Sequence, residues 1–479
     1  MIRRTILVFL FSVAIAHAGG ADLRRQAPVA EAIDLLERWI GAQCEYRQLP
    51  GLAIAVTYDD ELLYSRGFGF ADLERKIPMT PQTPFHIASI TKTFTSTAIL
   101  QLRDRGKLHL DDRVAQYLPW FQYRNQFPDG PEITIWNLLT HTSGLPSESA
   151  FPYWTDNVFP TREEMIRALQ NQENIFEPGT QFHYSNLGMA ILGEVVAAAS
   201  GEPYEQYIRK NILEPLDMAR TSVFFPAERR AEVAAGYNRR LRDGSRSRSE
   251  YVDSKGIAPA ANITSTVEDL AKFAAAHMRK GPVGGRQILA TSTLREMHRV
   301  QWMPAHWKSG WGLGFSVGKN DERITFGHGG WIGSQRSILT ASPEEKLAVV
   351  VFINADDGSP AFFADRALSM LGAALKKVLP PSPAVAPDSS WGLYVGRYVD
   401  PDSTYTDVLL YNGKLMMYGN YPPEENPVGA LTELVPAGPH TFRRNEAGGR
   451  GEYVIFELGE NGRVERIKAA ENYLYPAAR

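Results

Sequence analysis

The run Pro380-Pro381-Ser382-Pro383, continuing through Ser390, can belong neither to a helix interior nor to a central strand. Proline donates no N–H and locks φ, and the residue before it is pushed to extended backbone. A chain with this run so near its end folds as separate pieces on either side, and residues 379–390 read as a linker. Beyond it, short apolar-alternating runs recur: Val395–Tyr398, Thr406–Tyr411, Lys414–Tyr418, Glu452–Leu458 and Val464–Ala469. Asn412-Gly413 and Asn461-Gly462 supply two-residue hairpin turns between them. Residues 391–479 are therefore predicted to form a small all-β barrel.

Before the linker the pattern is mixed. Ile33, Leu36 and Ile40 recur at helical spacing within Ala32–Gln43. Leu52–Tyr58 and Leu62–Gly67 flank Asp59-Asp60 as a hairpin. A helical middle follows: Thr93–Leu102, 162–171, the apolar run Leu187–Ala199 closed by Gly201, 204–213, and Val267–Arg279 capped by Thr266 or Ser265. Strands return at Gly312–Val317, Arg323–Phe326, Gln335–Thr340 and Lys346–Ile353, before a last helix, Ala361–Val378. A hairpin, a helical middle and a late antiparallel run predict an α+β domain over 22–378, one antiparallel sheet flanked by helices with a mainly helical subdomain.

Arg3-Arg4, the apolar run Ile6–Ala16 and Ala16-His17-Ala18 have the form of a secretory signal peptide, residues 1–18. The mature chain is expected to be exported, periplasmic or secreted from a bacterium, with no stable membrane span once the signal is removed. A net charge of −3 points to neither nucleic acid nor anionic membrane as partner. Cys44 is the one cysteine, so no internal disulfide can form, and its surroundings suggest a half-buried structural thiol. The basic segment Arg239–Arg248 reads as a solvated loop rather than an anion-binding rim.

The chemistry concentrates in Phe85-His-Ile-Ala-Ser89-Ile-Thr-Lys92. A serine hydroxyl needs a neighbour to take its proton, and three residues on is about one helical turn, so Lys92 shares a face with Ser89. Tyr184-Ser185-Asn186 stands between a turn and the apolar helix; Tyr184 is a candidate proton carrier, the more so if a nearby cation favours its phenolate, and Asn186 can bind a substrate amide. Gly327-His328-Gly329-Gly330-Trp331 falls between strands, where glycines let backbone approach a ligand. A rival is Gly314-Phe-Ser316-Val-Gly318, with Asp356 and His440 downstream in the order of a nucleophile elbow. It lacks the strand–turn–helix context, because Lys319-Asn320-Asp321 and another strand follow. No metal-ligand pattern is present, and neither metal nor organic cofactor is expected.

These stretches, together with Leu138-Leu-Thr-His-Thr-Ser-Gly-Leu-Pro146 and Phe176-Glu-Pro-Gly179, resemble in kind and order the serine β-lactamase and penicillin-binding-protein superfamily. Within it they are most similar to class C β-lactamases, D-aminopeptidases and related esterases (peptidase family S12 type), over roughly residues 30–378. The C-terminal module looks like the lipocalin-like domain some of these hydrolases carry, either a lid or oligomer contact or a tethered accessory domain. The resemblance implies Ser89 as nucleophile, Lys92 as acceptor or relay of its proton, and Tyr184 as acid/base for the leaving group. It implies an oxyanion hole from the N–H groups of Ser89 and Trp331, amide binding by Asn186, and an edge strand of the cleft carrying His328, Gly329 and Gly330. His141 is then structural. Where many relatives carry Lys-Thr/Ser-Gly, this chain has His328-Gly329-Gly330, so a permanent cation is replaced by an imidazole expected to be partly charged near neutrality. The expected activity is hydrolysis of an ester, amide or peptide bond in a small-molecule or peptide substrate, including peptides with D-residues. Weak β-lactamase action, a non-catalytic peptidoglycan sensor and a homo-oligomeric state are the accompanying alternatives.

Overall fold

The computed structural model describes residues 20–305, 307, 309–320, 323–379, 389–419, 430–445 and 451–477. The expected signal peptide and most of the linker, 380–388, lie outside the described residues. The chain divides into two compact units, Met1–Val378 and Leu379–Arg479.

The first unit is built on one eight-stranded antiparallel sheet. Its strands are β1 Gly51–Tyr58, β2 Glu61–Asp72, β3 Ile77–Pro78, β4 Ser309–Trp311, β5 Ser316–Asn320, β6 Arg323–Ile332, β7 Gln335–Ser342 and β8 Leu347–Ile353, in the order β3-β2-β1-β8-β7-β6-β5-β4. β1 therefore pairs with its hairpin partner β2 on one side and with the distant β8 on the other, Leu52 opposite Ile353. Every residue of β8 is buried, because helices cover the sheet there on both faces. Ala27–Arg47 and Pro360–Val378 pack together on one face, with Trp39 against Phe362 and Phe363. Val267–Ala276 covers the other and stacks Phe273 on Phe94 at 3.9 Å. Phe94 belongs to the helix Thr91–Asp104, which is buried from Thr91 to Leu102 and packs against Asn186–Ser200. A 12-residue buried run on a helix is what a core position demands.

Several elements depart from the sequence reading for local reasons. The strand expected over Gly312–Val317 splits, because Gly314 turns at φ +78° where a Cβ would overlap Ser96 Oγ. β6 runs six residues further than expected. It is not the edge strand: β5 and β4 lie beyond it. β5 ends its pairing at Ser316 opposite Gly327, so residues 328–332 are unpaired on that side. Thr266, not Ser265, caps Val267–Ala276, accepting from Asp269 N. Among the described residues no helix is long and apolar enough to cross a membrane.

The second unit is a closed barrel of eight strands, β9 Gly396–Val399, β10 Tyr405–Tyr411, β11 Lys414–Gly419, β12 Thr432–Gly438, β13 Thr441–Arg444, β14 Tyr453–Leu458, β15 Val464–Ala469 and β16 Asn472–Pro476. Its own core includes Trp391, Tyr394, Leu415, Phe442 and Phe456. β12, β13 and β16 are the strands the sequence reading lacks. Pro436 and Gly438 hide β12, which tolerates them through a register shift between those two residues.

Candidate active site

Ser89 sits in the single 3-10 turn Ala88–Ile90 that leads into Thr91–Asp104. The approach to it is clamped. His86 N donates to Gln335 Oε1 at 2.8 Å, and Ile87 N donates to Ile263 O at 2.9 Å. Between these anchors and the helix, Ala88 is held at φ +49°. A non-glycine residue in that region is strained, and the surrounding hydrogen bonds hold it there.

Lys92 Nζ lies 3.0 Å from Ser89 Oγ and donates to Ala260 O at 2.9 Å. Its side chain is fully buried. Burial brings the ammonium down to about 7, against an opposing pull from the Glu148 carboxylate. Lys92 is thus substantially a neutral amine near pH 7, able to take the Ser89 proton. Its Nζ stands 4.8 Å from the Tyr184 ring centroid. The Tyr184 phenol is pushed well above its ordinary range, first by desolvation, opposed by the hydrogen bond with Ser89 and reinforced by Glu148. The condition under which a nearby cation would favour the Tyr184 phenolate is therefore not met; Tyr184 presents a protonated hydroxyl.

His141 braces this arrangement from behind. Its Nδ1 accepts from Ser185 N at 3.2 Å, its carbonyl accepts from His183 N at 2.7 Å, and its ring lies 4.4 Å from that of Tyr184. Burial and the nearby Lys92 hold it well below the usual imidazole range. It supports Tyr184 rather than touching Ser89.

Asn186 opens the helix that Ser185 caps, Ser185 Oγ accepting from Gly188 N at 2.9 Å. Asn186 Nδ2 donates to Glu148 Oε1 at 2.7 Å, and the Tyr153 hydroxyl donates to Glu148 Oε2. Asn186 Oδ1 is buried without a partner.

The unpaired half of β6 forms the opposite wall. Gly330 presses on the loop before Ser89: an added Cβ would overlap the Ile87 carbonyl oxygen and Ser337 Oγ, which itself donates to Ile87 O at 2.9 Å. Gly329 is less confined: an added Cβ would meet Ile338 Cδ1 and Ser337 O at 3.7 Å, ordinary van der Waals contact. His328 is 7% exposed, and burial brings it down to about 3, with Lys92 adding to the shift. The partial positive charge expected of it is overturned: it is a neutral imidazole, Nδ1 donating to Gly329 O at 2.6 Å and Nε2 unpartnered. Trp331 projects outward with the Arg336 guanidinium 4.7 Å from its ring centroid.

Ser89, Tyr184, Asn186, His328, Gly329, Gly330 and Trp331 thus line one cleft of about 980 Å³, with Lys92 buried beneath it. Ser316 lines the same cleft but stands in a hairpin, opposite Gly327 and Trp311. Its proposed partner His440 belongs to the second unit, where its Nδ1 bonds to Tyr394 OH at 2.8 Å. Cys44 is buried and pushed up to about 12, which leaves its thiol inert. In the basic segment Arg246 pairs with Asp357 at 2.5 Å and Arg248 with Asp72 at 2.9 Å. Glu148, Trp154 and Trp311 escaped the sequence reading; Glu148 follows a recognisable motif by two positions and carries no pattern of its own.

The family described as Beta-lactamase matches residues 36–374. Protein flp of Staphylococcus aureus (strain N315) is 28% identical over 308 residues, 64% of this chain and 60% of its own length. The chain thus spans about 60% of the length of that relative. Among solved structures, an octameric penicillin-binding protein homologue from Pyrococcus abyssi aligns with a TM-score of 0.62 and 26% identity, covering 92% of this chain and 99% of that one. That coverage exceeds what the first unit alone can supply. EstCE1, a hydrolase with promiscuous acyltransferase activity, shares the fold at a TM-score of 0.60 and 21% identity, covering 72% of this chain and 99% of that one.

Proposed function

The chain belongs to the beta-lactamase family, and we propose that it is an exported serine hydrolase that opens an ester or amide bond through an acyl-enzyme on Ser89. The observation that carries this reading is the buried Lys92 amine 3.0 Å from Ser89 Oγ. Lys92 takes the Ser89 proton as Oγ attacks the carbonyl. The N–H groups of Ser89 and Trp331 receive the developing oxyanion, a contribution on the order of 10²–10³ in rate per donor. Tyr184, protonated and hydrogen-bonded to Ser89, hands a proton to the leaving group and is recharged from Lys92. Water then cleaves the acyl-enzyme with the same groups in reverse.

A neutral His328 supports acyl donors that need no carboxylate anchor: small peptides or amides, D-residues included, and simple esters. The octameric assembly of the Pyrococcus abyssi homologue supports a homo-oligomeric state for this chain. The barrel fits a lipocalin-like accessory module.

The test is intact-protein mass spectrometry after a fluorophosphonate, with p-nitrophenyl acetate turnover alongside. One adduct on Ser89, absent in Ser89→Ala together with turnover, is expected. Labelling elsewhere, or turnover surviving in Ser89→Ala, would sink the assignment, and no adduct at all would favour a non-catalytic binding protein.

A further inference from the structure

The lining of the cleft beside Ser89 holds two carboxylates, Glu148 and Asp356, with Lys92 buried beneath it. Among the described residues lining it, Arg336 is the one guanidinium or ammonium. That cation is already engaged: its Nε donates to Asp356 O at 2.8 Å, its head lies 3.6 Å from Asp356 Oδ1, and its face covers the Trp331 ring. Asp356 is thereby compensated. Glu148, the other carboxylate in the lining, receives hydrogen bonds from Asn186 and Tyr153, both neutral donors, and forms no ion pair among the described residues.

Glu148 also decides which way Asn186 faces. A carboxylate only accepts, so the Asn186 amide must turn its Nδ2 toward Oε1. Its Oδ1 is then committed to the other side, where it is buried and lacks a partner. An unpartnered buried acceptor next to a carboxylate that forms no ion pair among the described residues is a site that asks for N–H donors carrying positive charge. His328 Nε2, likewise a buried acceptor with no partner, lines the same cleft. The proximity of Glu148 to the reacting groups shows in its influence on both Lys92 and Tyr184.

We propose that Glu148 and the Asn186 Oδ1 it orients form an ammonium-binding subsite that selects acyl donors bearing a free, protonated amine close to the scissile carbonyl, such as aminoacyl esters, aminoacyl amides and peptides with an unblocked N-terminus. Asn186 touches the substrate amine; Glu148 supplies the charge and sets the amide. The same subsite disfavours acyl groups carrying a carboxylate. This inference rests on the serine-hydrolase reading and narrows it to a substrate class.

The experiment compares three p-nitrophenyl esters of matched length: a free aminoacyl ester, its N-acetylated form and a hemisuccinate. Fluorophosphonate labelling of Ser89 runs in parallel on every protein. A charge-assisted hydrogen bond predicts a kcat/KM advantage on the order of 10- to 100-fold for the free amine over the N-acetyl ester. In Glu148→Gln that ratio collapses toward unity and the hemisuccinate gains relative to both, whatever the absolute rates. A ratio near one in the wild type, with Ser89 still labelled, overturns the subsite and leaves the hydrolase intact. Absent labelling overturns the hydrolase reading itself. Should Glu148→Gln not fold, the wild-type ratio decides alone; if it folds with the ratio unchanged, Glu148 has no part in selection.

Discussion

If the buried Lys92 amine is the base, turnover must follow its protonation state. With its ordinary value near 10.5, a lysine is about 0.3% neutral at pH 8, whereas at a value of about 7 it is about 90% neutral, a roughly 300-fold gain in competent base. The expected profile of kcat/KM on a neutral ester such as p-nitrophenyl acetate therefore rises from about pH 5 and levels off above about pH 8, with a single limb centred near 7. The cause is separable. Glu148 pulls against the shift, so Glu148→Gln moves the limb to lower pH, because removing a nearby anion leaves the ammonium still less favoured. Lys92→Arg, which cannot lose its proton, abolishes the limb along with most of the rate, an expected loss on the order of 10³-fold or more. Stopped-flow release of p-nitrophenol in the first turnover isolates acylation from deacylation. A flat acylation rate across this range, or a limb above about pH 9, would refute a depressed Lys92 as the base.

Two further outcomes follow from burial and from close approach. His86, His277 and His328 are buried and brought down to about 4, 3 and 3 respectively, burial being the first cause in each. Their folded values lie below the unfolded value near 6.5, so the unfolded chain binds protons first as pH falls; stability is full above about 6.5 and drains below it. Each adds up to 1.36 kcal/mol per pH unit, about 4 kcal/mol per unit together, so scanning calorimetry should show Tm falling steeply from about pH 6.5 toward pH 5; above pH 7 only the shallower rise from Lys92 remains, whose folded value of about 7 lies below its ordinary 10.5. An unchanged Tm across that window would contradict neutral burial. Gly330→Ala forces its new methyl into the Ile87 carbonyl and Ser337 Oγ, displacing the loop that carries Ser89; kcat should fall on the order of 10²-fold and stability by about 1–3 kcal/mol. Gly330→Ala with wild-type kcat would show that this contact does not position Ser89.

How much of this was legible in the sequence depended on how local each signal is. Ser89 and Lys92 are three residues apart, and one helical turn is enough to bring them together. The cap at Thr266 and the hairpin of β1 and β2 are equally local. The charge on His328 was not legible, because it is set by burial beneath Trp311 and Tyr184, residues from distant segments. Glu148 was invisible for the same reason: a single carboxylate after Pro146 becomes part of the site only when Asn186 arrives 38 positions later. The order of the sheet was unreadable too, since β1 is completed by a strand from the far end of the unit. In the barrel, Asn-Gly turns revealed two hairpins, while β12 and β16, interrupted by proline or following a short turn, gave no alternation to count.

The pairing of β1 with β8 has a consequence for synthesis. Leu52–Val56 are fully buried, yet the strand that seals one side of them ends at Ile353. At a translation rate of roughly 5–20 residues per second, about 300 intervening residues take roughly 15–60 s to emerge. During that time an apolar strand with an open edge is presented to every neighbouring nascent chain, the geometry that seeds aggregation. Recombinant yield is then governed by what shields residues 52–56 in the first minute, and slowing initiation or supplying a holdase should recover more protein than stabilising the finished fold.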